Sequence, residues 1–172
     1  MNVIVVSLDP ESTSAICQAL QRLHQDYTLL LPEEEPRIIS SSVILSSYQE
    51  NVEHVMPKWI LDNPVRVLGI GRGAELIAST LGGKVVKSEA PADPGMIEIT
   101  ELIHHQQVFT QCWMDSSNVI TAVPPNFRVL GVTADDRICS FTDGNRWLGL
   151  QYHPEHPKHG HLGLLRKFLH RI

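Results

Sequence analysis

The strongest constraint on the fold is a strand, a glycine-rich turn and a helix between Val65 and Leu81. The segment opens as the short apolar strand Val65 to Ile70 and turns through three glycines, with Gly71 at the centre. A helix follows, and its apolar positions are Ala74, Leu76, Ile77 and Leu81. A strand, a tight turn and a helix in this order predict a nucleophile elbow, which holds its apex residue out of the sheet on strained backbone. The apex of this elbow is Gly71.

The segment from Leu148 to Glu155 predicts a strand that ends in His-Pro-Glu. An elbow followed much later by His-x-Glu resembles the class I glutamine amidotransferases. The elbow of that family reads Gly-x-Cys-x-Gly, and its cysteine is the nucleophile, its histidine the base and its glutamate the group that orients the base. The resemblance implies that His153 and Glu155 are the base and its orienter. It also implies that Gly71 stands where the family has its cysteine.

The resemblance covers nearly the whole chain and is closest to the amidotransferase domain of GMP synthetases. Three segments carry it: Leu68 to Val85, Pro124 to Thr133, and Gly149 to Glu155. It implies one domain over residues 1–172, folded as a flavodoxin-like three-layer α/β/α sandwich. The central sheet is expected to be mostly parallel, with extra short antiparallel strands.

The chain differs from the family at positions that carry out the family's reaction. Gly71 replaces the cysteine, and glycine cannot supply the thiolate that attacks the amide to form a thioester. Ser40 to Val43 stands in place of the Ser-Gly-Gly-Pro turn that helps to form the oxyanion hole, and Asp115 to Asn118 in place of a Ser-His-Gly-Asp segment. Together these changes predict a catalytically defective protein that acts as a binding or regulatory subunit. Its expected partner is a synthetase or another protein subunit.

Other interpretations stay open. Ser40 to Ser42, or Ser116 and Ser117, could place a hydroxyl near His153 and so serve a hydrolase or amidotransferase that uses a different nucleophile. Cys112 is a weaker candidate, because it precedes Trp113 on a predicted strand. Gly69 to Ala74 also fits a G-x-G-x-x-A nucleotide-binding pattern, although such a pattern is expected at the first strand of a dinucleotide fold.

Arg72 is a candidate anion-binding residue, because it opens a helix whose exposed N–H groups favour a carboxylate or phosphate. Ser41, Ser42 and Gln151 are further candidate binding residues for a small anionic or glutamine-like ligand. The tract from His153 to His161 contains four histidines, which could hold a metal or could form a solvated loop. It has no accompanying cysteine or carboxylate set, so no metal and no cofactor are expected.

Charge, hydropathy and cysteine content argue against nucleic-acid binding and a membrane role and favour one cellular location. The net charge of −5 and the pI of about 6.0 give no electrostatic support to nucleic-acid binding. No apolar run approaches the ~20 residues that span a bilayer, so no membrane role is expected. The apolar N-terminus is expected to be a first strand, without the features of a signal peptide. Three widely spaced cysteines favour a reducing, cytoplasmic location.

Local patterns predict the order of elements. The first half alternates strands and helices, which implies a parallel sheet covered on both faces. The helices are predicted after a cap at Asp9, over Val52 to Leu61 with a break at Pro57, after the elbow, and over His161 to His170. The strands are predicted at Asn2 to Leu8, Tyr27 to Leu31, Arg37 to Ser40, Val65 to Ile70, Lys84 to Lys87, Met96 to Thr100, Val119 to Val123, Arg128 to Thr133, Arg137 to Thr142 and Trp147 to Tyr152.

Overall fold

The computed structural model describes residues 2–37, 42–49, 53–89, 95–103 and 106–170. Its strands are β1 Val3–Ser7, β2 Tyr27–Leu30, β3 Ser42–Ser47, β4 Arg66–Gly71, β5 Lys84–Lys87, β6 Gly95–Ile103, β7 Gln106–Met114, β8 Asn118–Ala122, β9 Arg128–Thr133, β10 Ile138–Thr142 and β11 Trp147–Leu150. Its helices are α1 Pro10–Arg22, α2 Lys58–Asp62, α3 Arg72–Thr80 and α4 Leu162–His170.

The strands of the described chain form one mixed sheet, ordered β2-β1-β3-β4-β11-β10-β9-β6-β7. The first five strands in this order are parallel to one another, and the pairs from β11 onwards are antiparallel. Strands β5 and β8 pair with each other beside β10. The carboxyl ends of the parallel strands lie at one edge of the sheet, and ligands of open α/β sheets bind outside that edge.

Helices cover both faces of the parallel strands, which confirms the predicted α/β class. On one face, Ile16 of α1 and Leu165 of α4 pack against β1 and β4. On the other face, Ile60 of α2 and Ile77 of α3 pack against the same strands. Alternate residues of the strands enter the two clusters: Val3 and Val5 belong to the first, and Ile4 and Val6 to the second. A strand buried on both faces has a continuous apolar sequence, as β1 does.

The predicted helix cap at Asp9 is present. Its carboxylate accepts a hydrogen bond from the backbone N–H of Ser12 at 2.9 Å, and Pro10 occupies the first turn of α1. Both features favour helix initiation at this point. Within the described ranges, no helix is both long enough and apolar enough to cross a bilayer.

Three predicted elements differ from the structure. The helix predicted over Val52 to Leu61 is only α2, because the residues from 53 to 57 are not helical. Of the strand predicted at Arg37 to Ser40, Arg37 lies in a bend and 38–40 lie outside the described residues. The strand near Met96 is nine residues long and pairs along its length with β7, the strand that carries Cys112 and Trp113. The sequence patterns predicted neither this length nor this pairing.

Candidate functional site

Gly71 ends β4 and caps α3, so it lies at the apex of the predicted turn. Its φ is 56° and its ψ is −117°, a backbone conformation that side-chain-bearing residues rarely adopt. Two neighbouring glycines permit the close approach of strand and helix. A Cβ on Gly73 would lie 2.1 Å from the carbonyl oxygen of Leu45, and a Cβ on Gly69 would lie 2.5 Å from that of Gly73. The G-x-G-x-x-A pattern is therefore explained by packing.

The sheet brings His153 to Gly71 across the large separation in sequence. A Cβ built on Gly71 would lie 2.7 Å from Cε1 of His153 and 3.2 Å from its Nε2. The imidazole is 1 % exposed, and Nε2 has no hydrogen-bond partner among the described residues. The ring therefore closes over the position that a side chain at the apex would occupy.

His153 and Glu155 form a buried pair at the end of β11. Nδ1 of His153 lies 3.0 Å from Oε1 of Glu155. The tautomer that donates from Nδ1 to this carboxylate leaves Nε2 as the acceptor nitrogen on the side of Gly71. Tyr48, which the sequence patterns did not single out, donates its hydroxyl to the same Oε1 at 3.1 Å and packs edge-on against the imidazole at 4.7 Å.

A second buried carboxylate, Glu75 of α3, contacts several of the predicted site residues. Glu75 is 5 % exposed and forms an ion pair with Arg72 at 2.9 Å. It accepts further hydrogen bonds from Ser116 Oγ at 2.8 Å, Asn118 Nδ2 at 2.8 Å and Gln151 Nε2 at 3.2 Å. Arg72 and Gln151 thus lie in one network, together with Ser116 and Asn118 of the 115–118 segment.

A cleft of about 310 Å³ opens beside this network. Its polar lining residues are Glu53, His54, Arg72, Glu75, Ser79 and Asn118, and Val55 and other residues supply apolar surface. Both signs of charge therefore face the cleft from neighbouring side chains of α3.

Comparisons with known proteins establish the family of the chain. The family model described as "Glutamine amidotransferase class-I" matches residues 9–172. The chain belongs to the class I glutamine amidotransferase family. The glutamine-hydrolysing GMP synthase of Trichormus variabilis is 32 % identical over 78 % of this chain, and that of Clostridium acetobutylicum is 30 % identical over 89 %. The chain spans only 26 % and 32 % of the length of these two relatives.

Solved structures show the same fold. A GMP synthase subunit from Thermoplasma acidophilum has a TM-score of 0.78 at 20 % identity, covering 98 % of this chain and 92 % of its own. A glutamine amidotransferase from Thermotoga maritima has a TM-score of 0.72 at 16 % identity, covering 90 % and 76 %. These likenesses confirm the α/β fold that the family resemblance implied.

The turn next to the amidotransferase elbow was predicted at the wrong place. Ser42 and Val43 begin β3 and pair with Arg66 and Val67, at the opposite end of the strand from Gly71. Ser42 is buried there and lies away from the cleft, whereas Ser41 lies outside the described residues. The end of β3, which pairs Ser47 with Gly71, and the two residues after it reach the elbow; residues 46–49 are here named the 46–49 turn. Serines flank the short apolar run of β3 on both sides, so its sequence imitates that of a turn.

Hydrogen bonds occupy the backbone N–H groups of Tyr48 and Gln49, the last two residues of the 46–49 turn. The N–H of Tyr48 donates to Oδ2 of Asp9 at 2.7 Å, and that of Gln49 donates to Oγ of Ser47 at 3.1 Å. Burial alone would raise the pKa of Asp9, but hydrogen bonds from Ser12, Ser47 and Tyr48 together hold that pKa below its ordinary value. Asp9 is therefore an ionised anchor for the turn.

The remaining candidates lie apart from the elbow. Cys112 packs in the hydrophobic core. His156 and His159 stack against Trp113, with ring centroids 4.5 and 5.5 Å from the indole. Within the described ranges, no group of three or more potential ligands is arranged to hold a metal ion.

His54 provides a prediction for the pH dependence of stability. Its pKa lies below the ordinary 6.5 because the ring is partly desolvated and lies near Arg72, although Asp9 opposes the shift. The unfolded chain therefore binds more protons than the folded chain just below about pH 6.5, and the free energy of unfolding should fall as the solution is acidified. His54→Gln should reduce this fall between about pH 8 and about pH 5.5 in urea titrations.

The difference in the free energy of unfolding between wild type and His54→Gln near pH 8 serves as the control. At that pH the substitution removes only the contact of His54 with Ser47, at 3.1 Å. His156 contributes with the same sign, since burial and the neighbouring His159 lower its pKa. An identical pH slope in wild type and His54→Gln would contradict the prediction.

Proposed function

We propose that this chain is a class I amidotransferase domain that does not hydrolyse glutamine and serves as a binding or regulatory subunit of a synthetase. The observation that carries the proposal is the apex of the elbow. Gly71 has no side chain, and the imidazole of His153 lies 2.7 Å from the position of its missing Cβ. Attack on an amide needs an activated nucleophile within reach of its base, and this apex has neither the thiol nor the space for one.

The 46–49 turn supports the same conclusion. In the family, a backbone N–H of this turn helps to stabilise the oxyanion of the tetrahedral intermediate. Here the N–H groups of Tyr48 and Gln49 already donate to Asp9 and to the hydroxyl of Ser47. Loss of one oxyanion donor reduces the rate constant by about 10²–10³-fold in well-characterised hydrolases. The turn and the apex are thus two separate obstacles to catalysis.

The cleft beside α3 supports a binding role. The cleft beside α3 keeps a volume of about 310 Å³ and presents Arg72 next to Glu75. A small zwitterion with an amide, such as glutamine, fits a lining that holds one guanidinium, shared with Glu75, and the further carboxylate of Glu53. Binding without turnover would make the domain a sensor of that ligand for the synthetase with which it associates.

The proposed partner is the synthetase portion of a GMP synthase, because the relatives named above continue for two to three times the length of this domain. The test combines sedimentation of this chain with that portion from the same source and an assay of GMP formation. We expect a complex, with GMP formed from ammonia but not from glutamine. Absence of a complex contradicts the subunit role, and GMP formation from glutamine contradicts the loss of catalysis.

One contact favours a second candidate, an enzyme that uses Ser47 as its nucleophile and His54, in place of His153, as its base. Oγ of Ser47 lies 3.1 Å from Nε2 of His54, within the reach expected of a nucleophile and its base. The same hydroxyl, however, accepts the N–H of Gln49 and hydrogen-bonds Asp9, which suits an anchor of the turn. Ser47 is also only 1 % exposed.

A fluorophosphonate probe distinguishes the two roles of Ser47, because it labels activated serines covalently. We expect no labelling of the wild type above the level of Ser47→Ala, measured by intact-protein mass spectrometry. Labelling that disappears in both Ser47→Ala and His54→Gln would support the enzyme candidate and contradict the proposed subunit role.

A further inference from the structure

A second concave surface, here named the α1 groove, lies between α1, the end of β7 and the loop after β11. Its volume is about 550 Å³, within the range of small-ligand sites. Glu11, Tyr48, Trp113, Asp115 and His156 supply its chemistry. The α1 groove shares none of its described lining residues with the cleft beside α3, so it requires a separate explanation.

The charge of the α1 groove is negative. Glu11 and Asp115 are the charged side chains among its described lining residues. Behind Tyr48 lie two more carboxylates, because its hydroxyl donates to Glu155 and its backbone N–H donates to Asp9. The pKa of Tyr48 is raised far above its ordinary value by burial and then by the negative charges of Glu155, Glu11 and Asp9. The part of this pKa shift that comes from the three carboxylates reflects the negative potential at this wall of the groove.

The walls of the α1 groove are aromatic. Trp113 stacks on His156 with ring centroids 4.5 Å apart and an interplanar angle of 26°. Burial, together with the neighbouring His159 and Lys158, lowers the pKa of His156 below its ordinary 6.5. The ring is therefore mostly neutral near pH 7 and acts as part of an aromatic wall.

We infer that the α1 groove binds a guanidinium group. A planar cation can stack on Trp113 or Tyr48 while its N–H groups donate to Glu11 or Asp115. Guanidinium combines both interactions better than ammonium, because it is flat, more weakly hydrated and able to donate two parallel hydrogen bonds to one carboxylate. A free metabolite and an arginine side chain of a peptide present this same chemistry to the groove, and the probes below distinguish them.

Calorimetry and NMR titration with capped amino acids test the inference. The probes are acetyl-arginine amide, its neutral isostere acetyl-citrulline amide, and acetyl-lysine amide. Agmatine and an acetylated, amidated Gly-Arg-Gly peptide distinguish a metabolite from a peptide source. We expect the arginine probe to bind at least about tenfold more tightly than citrulline, with chemical shift changes at the indole of Trp113, and to weaken as salt is raised.

Charge-removing variants locate the site. Glu11→Gln and Asp115→Asn keep the size of each side chain, and each should weaken the arginine probe about threefold to tenfold. Glu33→Gln, in the exposed acidic loop, is the matched control and should leave binding unchanged. Equal affinity for arginine and citrulline, no detectable binding, or loss of affinity in Glu33→Gln alone would overturn the inference. Lysine binding as tight as arginine would overturn its preference for guanidinium.

Discussion

Gly71→Ala is expected to destabilise the domain by about 3 kcal/mol, because two costs coincide at the apex. Alanine at position 71 would have to keep a φ of 56° and a ψ of −117°. This conformation strains any residue other than glycine by about 1–3 kcal/mol. The added Cβ would also lie 2.7 Å from His153 Cε1 and 3.0 Å from the carbonyl oxygen of Ser47. The buried imidazole must move, at a further cost of about 1–3 kcal/mol.

Gly163→Ala is the matched control, because nothing lies within 4 Å of a Cβ built at that position in α4. This variant should be neutral or more stable by about 0.5–1 kcal/mol, since alanine favours the helix. Urea denaturation of both variants gives the comparison. Equal free energies of unfolding for Gly71→Ala and wild type would show that the imidazole does not close over the apex.

Glu75→Ala should be the other strongly destabilising change, with a loss of about 3–5 kcal/mol. The substitution removes an acceptor shared by Arg72, Ser116, Asn118 and Gln151. The donors that remain are mostly withdrawn from water, and the side chain of Arg72 is only 16 % exposed. Ser116 and Gln151 keep the carbonyl oxygen of Asn118 as an acceptor. The cost therefore falls mainly on Arg72 and on the amide of Asn118, because breaking a buried ion pair costs more than the net contribution of the pair.

Thr80→Ala provides the control within the same helix, because Thr80 is exposed at the end of α3. Its effect should stay within about 0.5 kcal/mol. Glu75→Gln keeps one acceptor oxygen and should fall between the two, which separates loss of charge from loss of hydrogen bonding. If Glu75→Ala is as stable as Thr80→Ala, the network does not hold α3 to the sheet.

The elbow could be predicted from the sequence because short-range features determine it. An apolar strand, three glycines and an apolar helix face suffice to place the turn at Gly71. The meeting of Gly71 and His153 followed from the family resemblance, since periodicity cannot bring two such distant residues together. The parallel pairing of β4 with β11 supplies the physical link, with Ile70 opposite Leu150.

Tyr48 and Glu75 could not be predicted as site residues, because their importance depends on contacts between elements far apart in sequence. Tyr48 reaches Glu155 across 107 residues, and Gln151 reaches Glu75 across 76. The β3 strand was missed for a local reason: serines flank its apolar run, and two of them, Ser42 and Ser46, are buried in the sheet. Serine at both ends of a strand gives the same pattern as a turn.

An assay of glutamine hydrolysis by the purified chain tests the proposed loss of catalysis, with ammonia and glutamate measured for wild type, Gly71→Cys and Gly163→Ala. Iodoacetamide labelling of Gly71→Cys, followed by peptide mass spectrometry, establishes whether a thiol at the apex is accessible. We expect no turnover by wild type. We also expect none by Gly71→Cys, because His153 closes over the apex and the 46–49 turn keeps its N–H groups engaged. Turnover by wild type would contradict the account outright, and robust turnover by Gly71→Cys would show that only the nucleophile is missing.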